Sequence, residues 1–105
     1  MTQYGRGYAF ERKTRLALVE AGWFVVRSAG SKGACDLVGF KGRTHRIFVQ
    51  CKRGKLPRPE WGALVALADA HDAIPVLADQ DGLWYLCTHP QKWKFDPKLC
   101  GSWTD

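Results

Sequence analysis

The sequence predicts one mixed α and β domain in which helices flank a central mixed sheet, in the order α-β-β-β-α-β-β. Two segments repeat apolar residues at steps of three and four, and five short segments are rich in β-branched and aromatic residues. The chain has 105 residues, which is the size of one domain. A hydrophobic fraction of 46% with five tryptophans indicates a folded core. We expect a single domain over residues 1–105, with the core over about 4–88 and a tail over 89–105.

The first helix is predicted from about Tyr4 to Ala21. Small and apolar side chains recur along one face at steps of four and three: Phe10, Thr14, Ala17 and Ala21. Glu11 and Leu18 are seven residues apart, so they share a line at the margin of this apolar stripe. We therefore expect Glu11 at the edge of the protein body rather than in open water.

Three strands are predicted after Gly22, which ends the first helix. They have β-branched and aromatic composition and are separated by the glycine-containing segments "AGSKGA" and "KGR": Trp23–Ser28, Cys35–Phe40 and Thr44–Lys52. Short connections between consecutive strands favour an antiparallel meander.

The second helix is predicted from Pro59 to about Asp72. One stripe is apolar and suited to the core: Trp61, Leu64, Val65 and Ala68. Much of the remaining surface is also small and apolar, including Ala63, Leu67 and Ala70. A helix that is apolar nearly all round is usually buried on both sides, so we expect the second side to be a homodimer interface. The alternative is a helix with ordinary exposed alanines.

Two further strands, "AIPVLAD" and "LWYLCT", flank the turn "DQDG". The tail that follows contains Trp93, Phe95 and Trp103 but has no clear period. Three roles are open for it: wrapping the core, forming a dimer arm or stacking on bases.

Composition excludes several classes of protein. There is no apolar run of 18 residues, and the charged N-terminus has no apolar segment after it, so we expect a soluble cytoplasmic protein without a membrane partner. The cysteines and histidines lack the spacing of zinc ligands or of a disulfide framework, which favours reduced, packed thiols: Cys35, Cys51, Cys87, Cys100, His45, His71 and His89.

The net charge of +6 is unevenly distributed. Residues 1–58 hold 13 Lys and Arg against three acidic residues, whereas residues 59–105 hold three against seven. A basic half favours a polyanionic partner, because Lys and Arg neutralise phosphates and release counterions. Nucleic acid is therefore the expected partner, and a merely solvated basic surface is the alternative.

Polar residues converge where the second strand begins and the third ends. Asp36 begins the second strand, and Gln50 and Lys52 share a face of the third strand with Phe48. We expect Phe40 to pair with Thr44 or His45, which puts Asp36 opposite about residues 45–48, plus or minus a bulge. This register permits Asp36 and Gln50 to be neighbours across a twisted sheet.

Oxygen atoms in this region suit a divalent cation. Mg²⁺, or Mn²⁺ in its place, prefers hard oxygen ligands, and four candidates are expected: Asp36, Gln50, the backbone carbonyl of Cys51 and Glu11. Such an ion would activate water beside a phosphate, and Lys52 would orient that water or stabilise the developing charge.

The spacing of Asp36, Gln50 and Lys52, with strands in this order, resembles the PD-(D/E)XK nucleases. The longer run "GRGYAFERKTRLALVEAGWFVVRSAGSKGACDLVGF", followed by "VQCK" and "IPVLA", is similar to archaeal-type Holliday junction resolvases over roughly residues 5–78. The resemblance implies a restriction-endonuclease-like α-β-β-β-α-β core and a homodimer that nicks four-way DNA junctions with Mg²⁺. No nucleotide cofactor is implied.

The resemblance also assigns roles to individual residues. It implies that Glu11 assists the metal site, Ser31 contacts the phosphate near the cleaved bond, Asp36 binds the metal, Gln50 occupies the second acidic position and Lys52 is the catalytic lysine. The basic residues expected to contact DNA are Arg6, Arg12, Lys13, Arg27, Lys32, Arg53 and Lys55. The family's dimer contact involves its second helix, in agreement with the apolar surface described above.

The sequence departs from the family pattern in two respects. Ala34 and Cys35 replace the proline expected before Asp36, and Gln50 replaces the usual glutamate. Three readings follow: a Holliday junction resolvase, a related nickase acting on another DNA structure, or a junction-binding module that has lost catalysis.

Overall fold

The computed structural model describes the backbone of residues 3–28 and 34–99, and the side chains of residues 8–28 and 34–98. It confirms the predicted mixed fold and adds a sixth strand and a short 3₁₀ helix in the tail. In chain order the elements are α1 (Gln3–Glu20), β1 (Phe24–Arg27), β2 (Leu37–Lys41), β3 (His45–Cys51), α2 (Arg58–Ala70), β4 (Ile74–Asp79), β5 (Gly82–Leu86), β6 (Lys92–Lys94) and the 3₁₀ helix Pro97–Leu99.

The six strands form one mixed sheet in the order of the sequence. Strands β3 and β4 run parallel, because α2 crosses over the sheet between them, and all other neighbours are antiparallel. The predicted meander of the first three strands is therefore confirmed. The parallel pair makes β3 and β4 end at the same edge of the sheet.

The register between β2 and β3 differs from the predicted one. Lys41 pairs with His45, and Phe40 pairs with Arg46 rather than with Thr44 or His45. The cause is a three-residue turn in which Gly42 takes a left-handed φ of 65°. The shift moves Asp36 away from residues 45–48 and toward the C-terminal end of β3.

Each face of the sheet carries its own core. On the side covered by α1, called here the α1 side, the buried core includes Leu18, Trp23, Leu37, Ile47, Val49, Val76, Ala78 and Phe95. On the α2 side it includes Cys35, Leu56, Trp61, Leu64, Leu77 and Leu86. Consecutive residues of β3 alternate between these two cores, as expected for a strand that is covered on both faces.

The buried stripe of α1 is centred on Leu18. Thr14 and Leu18 are buried, whereas Ala17 is exposed, so Ala17 was wrongly predicted to face the core and Leu18 to lie at its margin. Alanine fits either environment at little cost, whereas burying leucine removes much more apolar surface from water. Glu11 is half-buried.

The helix α2 has one buried stripe and one exposed side. Trp61, Leu64 and Ala68 are buried, as predicted, whereas Ala63 and Ala70 are exposed. Leu67, predicted on the outer side, is half-buried and packs against the α2-side core. Neither α1 nor α2 has the length and apolarity needed to cross a membrane, and these are the two α-helices in the described part of the chain.

The described part of the tail packs against the sheet. Phe95 is only 3% exposed and its ring lies 6.3 Å from that of Trp23. The Trp23 indole N–H donates a hydrogen bond of 3.1 Å to the carbonyl of Pro97. Trp93 is 62% exposed on β6, and Trp103 lies outside the described residues. Of the three roles left open for the tail, wrapping of the core is therefore confirmed for Phe95.

Gly39 is required by the close approach of β2 to the α1-side core. A Cβ atom there would lie 2.8 Å from Ile47 Cγ1 and 3.4 Å from Trp23 Cε3. We expect Gly39→Ala to lower the free energy of unfolding by ~1–3 kcal/mol, the usual cost of overpacking a core. The measurement is urea unfolding followed by tryptophan fluorescence.

The matched control for this substitution is Gly62→Ala on the exposed side of α2, where an added Cβ meets no atom within 4 Å. This variant should gain up to ~1 kcal/mol, because alanine has the higher helix propensity. Equal stability of the two variants would contradict the packing described for Gly39.

Candidate active site

Asp36 links the start of β2 to the end of β3. Its backbone N–H donates a 2.7 Å hydrogen bond to the carbonyl of Val49, and its carboxylate Oδ2 accepts a 2.9 Å bond from the N–H of Cys51. Backbone N–H groups of a strand lie in the plane of the sheet. The Asp36 carboxylate is therefore held at the sheet plane, between the two covered faces.

The position of the Asp36 carboxylate depends on a break, just before β2, in the regular alternation of side chains between the two faces of the sheet. Cys35 packs in the α2-side core and Leu37 in the α1-side core, although residues two apart in a regular strand share a face. The backbone thus turns over at Asp36. The turnover allows the side chain to fold back onto Cys51 instead of projecting from either face.

Glu11 and Arg27 form an ion pair beside this carboxylate. Arg27 Nε donates a hydrogen bond to Glu11 Oε1, which connects α1 to the end of β1. The Arg27 guanidinium also lies 5.1 Å from the centre of the Tyr8 ring. The Glu11 side chain is 16% exposed and that of Arg27 is 49% exposed, so the acid is largely enclosed and the base faces solvent.

The electrostatics of Asp36 reflect these neighbours. Burial raises the pKa of the Asp36 carboxyl, the hydrogen bond from the Cys51 N–H lowers it, the negative charge of Glu11 raises it and the positive charge of Arg27 lowers it. The net pKa is above the usual value of 3.8. Asp36, Glu11 and Arg27 thus form one charge-coupled group.

Cys51 contributes its backbone rather than its thiol. Burial, followed by the charge of Asp36, raises the pKa of the Cys51 thiol to about 12, although a hydrogen bond with the Thr14 side chain opposes this shift. The thiol is therefore neutral at physiological pH and is not a thiolate ligand. In a strand the N–H and C=O of one residue point to the same neighbour, so the Cys51 carbonyl faces the edge where Asp36 lies.

Gln50 and Lys52 approach from the opposite face. They alternate with Val49 and Cys51 of the α1-side core, so alternation predicts that they project to the α2 side, where Phe48 packs. Gln50 Oε1 is buried and accepts no hydrogen bond from any residue in the described ranges. Lys52 is half-buried, and its backbone N–H donates to the carbonyl of Ala78 on β4.

The other residues expected to act here lie on α1, in the segment after β3 or outside the described residues. Arg53 is exposed, with its guanidinium 5.4 Å from the Phe10 ring, and Arg12, Lys13 and Lys55 are also exposed. Ser31 and Lys32, together with the side chain of Arg6, fall outside what the structure describes.

Sequence reasoning missed two residues of this region, Tyr8 and Thr14. The ring of Tyr8 contacts Arg27, and Thr14 interacts with Cys51. Both are three residues from Glu11, and this helical spacing was the available signal.

The residues present fit a hard divalent cation. Carboxylate, amide and carbonyl oxygens are the ligands that Mg²⁺ prefers, and the buried oxygen of Gln50 lacks a donor. Within residues 8–28 and 34–98, no three His, Cys, Asp or Glu side chains cluster as a metal site. An ion here would therefore depend on neutral oxygens and water as well as on Asp36 and Glu11.

A carboxylate where β2 begins, a lysine after β3 and this order of elements are features of the PD-(D/E)XK class of nucleases, although Gln50 stands at the second acidic position. The profile of the archaeal Holliday junction resolvase family matches residues 2–58, just over half of the chain. The chain belongs to this family.

Individual relatives agree with this assignment. The chain is 30% identical over 81 residues to the crossover junction endodeoxyribonuclease Hjc of Methanocaldococcus jannaschii, an alignment covering 72% of this chain and 59% of that protein. The structure of Archaeoglobus fulgidus Hjc, a Holliday junction resolvase from an archaeal hyperthermophile, matches with a TM-score of 0.65 and 24% identity, over 87% of this chain and 84% of that one. This second likeness shows the shared fold.

The raised pKa of Asp36 predicts how stability depends on pH. The native state holds this proton to higher pH than the unfolded chain, so the free energy of unfolding falls as pH rises from about 3.8 through the native pKa. Asp36→Asn avoids this loss and can still accept the Cys51 hydrogen bond. We expect the variant to be more stable than wild type at pH 7 and equally stable below about pH 3.5.

Urea unfolding in EDTA across this pH range measures the effect. A difference between the two proteins that is the same at every pH would contradict the burial of an ionised carboxylate at this position.

Proposed function

We propose that this chain is a metal-dependent, structure-selective DNA endonuclease that resolves four-way junctions by paired symmetric nicks. The observation that carries the proposal is the Asp36 carboxylate, held by the Cys51 N–H at the end of β3 beside the charge of Glu11, with Gln50 and Lys52 on either side of Cys51 in the chain. Membership of the archaeal Holliday junction resolvase family supports the choice of substrate.

The proposed cofactor is Mg²⁺, with Mn²⁺ able to substitute. The ion would be held by four groups: Asp36, Gln50 Oε1, the Cys51 carbonyl and Glu11. When bound, it would lower the pKa of a bound water and place a positive charge beside the phosphate. The protein's contribution is orientation. The hydrogen bond from Cys51 fixes one oxygen of Asp36 and leaves the other oxygen available.

Lys52 is the proposed catalytic lysine. It lies two residues after Gln50, it is half-buried, and its backbone is fixed at the strand end by the hydrogen bond to the carbonyl of Ala78. In this partly desolvated place a positive charge stabilises the negative charge that develops on the phosphate more strongly than it would in water. Ser31 is proposed, from the family resemblance, to contact the phosphate beside the cleaved bond.

The DNA would be bound through its phosphates. Exposed basic side chains occur on α1, on β1 and in the segment after β3, and we propose that they recognise the shape and phosphate layout of the junction with little base readout. The proposed contacts are Arg6, Arg12, Lys13, Arg27, Lys32, Arg53 and Lys55.

Symmetric nicking requires two copies of the site, which a twofold homodimer supplies. Helix α2 packs against β3 and β4, and on the same side of the sheet Phe24 is 69%, Val26 45% and Phe40 39% exposed. Phe24 and Phe40 are paired across β1 and β2, so they form one apolar surface. We propose that this surface forms the dimer interface together with Ala63, Leu67 and Ala70 of α2.

A second candidate function is a junction-binding module with weakened catalysis. Gln50 favours it, because an amide takes the place of a carboxylate and leaves the described part of the site with Asp36 and Glu11 as its acids. A related nickase acting on another DNA structure would use the same residues. These candidates differ in what they cleave.

Cleavage of labelled four-way, duplex and single-stranded DNA in Mg²⁺ tests the proposal. Wild type should place paired symmetric nicks on the four-way junction. Asp36→Asn and Lys52→Ala should each lower the cleavage rate by ~10² or more, because each removes a group that acts on the reacting phosphate. Junction affinity in EDTA should be retained, since many phosphate contacts provide it.

The control for these variants is Lys98→Ala, an exposed lysine in the 3₁₀ helix that follows β6. It should cleave at the wild-type rate. Normal cleavage by Asp36→Asn would refute the assigned site. Nicks on duplex or single strands alone would favour the nickase, and tight junction binding without cleavage would favour the binding module.

The dimer is tested by placing a charge on the exposed apolar surface. Phe24→Asp should convert the dimer to a monomer in sedimentation equilibrium, because a carboxylate cannot be buried there without a partner. Leu16→Asp is the matched control, since Leu16 is 48% exposed on α1 and lies outside the proposed interface. A wild-type monomer, or an unchanged mass for Phe24→Asp, would exclude this interface.

A further inference from the structure

The ion pair between α1 and β1 already uses the carboxylate that the proposed metal site requires. Arg27 Nε donates to Glu11 Oε1, and the Tyr8 ring lies 5.1 Å from the guanidinium. Glu11 is the enclosed member of the pair, with a side-chain exposure of 16%. In the absence of DNA, the positive charge of Arg27 therefore offsets the negative charge of Glu11 and weakens its attraction for a metal cation.

Arg27 is the exposed member of the pair, so it is the one that can change partners. Half of its side chain is accessible to solvent, and a guanidinium binds phosphate oxygens in the same forked geometry that it uses for carboxylates. A DNA phosphate beside β1 would compete with Glu11 for this group. When Arg27 turns to the phosphate, Glu11 is left as an unpaired, largely enclosed anion next to Asp36.

We propose that Arg27 is a positioning residue that blocks Glu11 until a DNA phosphate withdraws it, so that DNA binding promotes metal binding at the same site. This inference rests on the proposed metal-dependent nuclease function. Two enclosed acids without Arg27 attract a divalent cation more strongly than two acids with it. By linkage, the bound ion then favours DNA binding by the same factor.

The first measurement is Mg²⁺ binding to the DNA-free protein by isothermal titration calorimetry. Arg27→Gln should bind Mg²⁺ more tightly than wild type, by roughly fivefold, the upper range for a partly exposed ion pair. The matched control is Arg43→Gln, which removes the same charge from the turn between β2 and β3, at the other end of these strands. It should leave Mg²⁺ affinity unchanged.

The second measurement is junction binding in EDTA over a series of salt concentrations. Arg27→Gln should bind the junction more weakly, and the slope of log affinity against log salt should fall by about one, as expected for one lost phosphate contact. The coupling therefore predicts opposite changes in the two affinities. A purely structural role for Arg27 would weaken both, because a loosened α1 would disturb the whole site.

The outcomes separate this inference from the proposed function. Tighter Mg²⁺ binding with weaker junction binding supports the coupling, and unchanged or weaker Mg²⁺ binding overturns it. If Arg27→Gln fails to fold, Arg27→Lys gives a smaller shift in the same directions, because lysine keeps the charge but not the forked geometry. If wild type neither binds Mg²⁺ nor cleaves the junction, the proposed function itself fails.

Discussion

The hydrogen bond from the Cys51 N–H to the Asp36 carboxylate joins the parts of the candidate site. It fixes an acid in the plane of the sheet, where it can be approached from both faces. Glu11 and Arg27 reach it from the α1 side, whereas Gln50 and Lys52 project from the α2 side. The turnover of the chain between Cys35 and Leu37 makes this geometry possible.

The negative charges of Asp36 and Glu11 are only partly balanced by the positive charge of Arg27. Burial is the main reason that the pKa of Asp36 is raised; the negative charge of Glu11 raises it further, and the positive charge of Arg27 offsets part of that effect. Gln50 adds oxygen without adding charge, and its buried Oε1 has no donor among the described side chains. A carboxylate in place of the Gln50 amide would add a third negative charge and increase the repulsion between the acids.

Much of the fold followed from local pattern. Alternation in β3 correctly placed Phe48 opposite Val49 and Cys51, because that strand is regular and covered on both sides. The position of Asp36 did not follow, because the turn at Gly42 set the register and the alternation breaks at Asp36 itself. The pairing of Glu11 with Arg27 joins two elements whose relative placement no local pattern contains.

Phe95, which is buried against Trp23, comes much later in the sequence than the residues of the candidate site. Every candidate ligand and the candidate catalytic lysine lie before residue 53, whereas the ring that completes the α1-side core comes some forty residues later. During synthesis the reactive groups therefore leave the ribosome well before the aromatic side chain that seals the hydrophobic interior. A product that stops short of β6 would carry the full set of these groups on an unfinished core, and proteases would remove it readily.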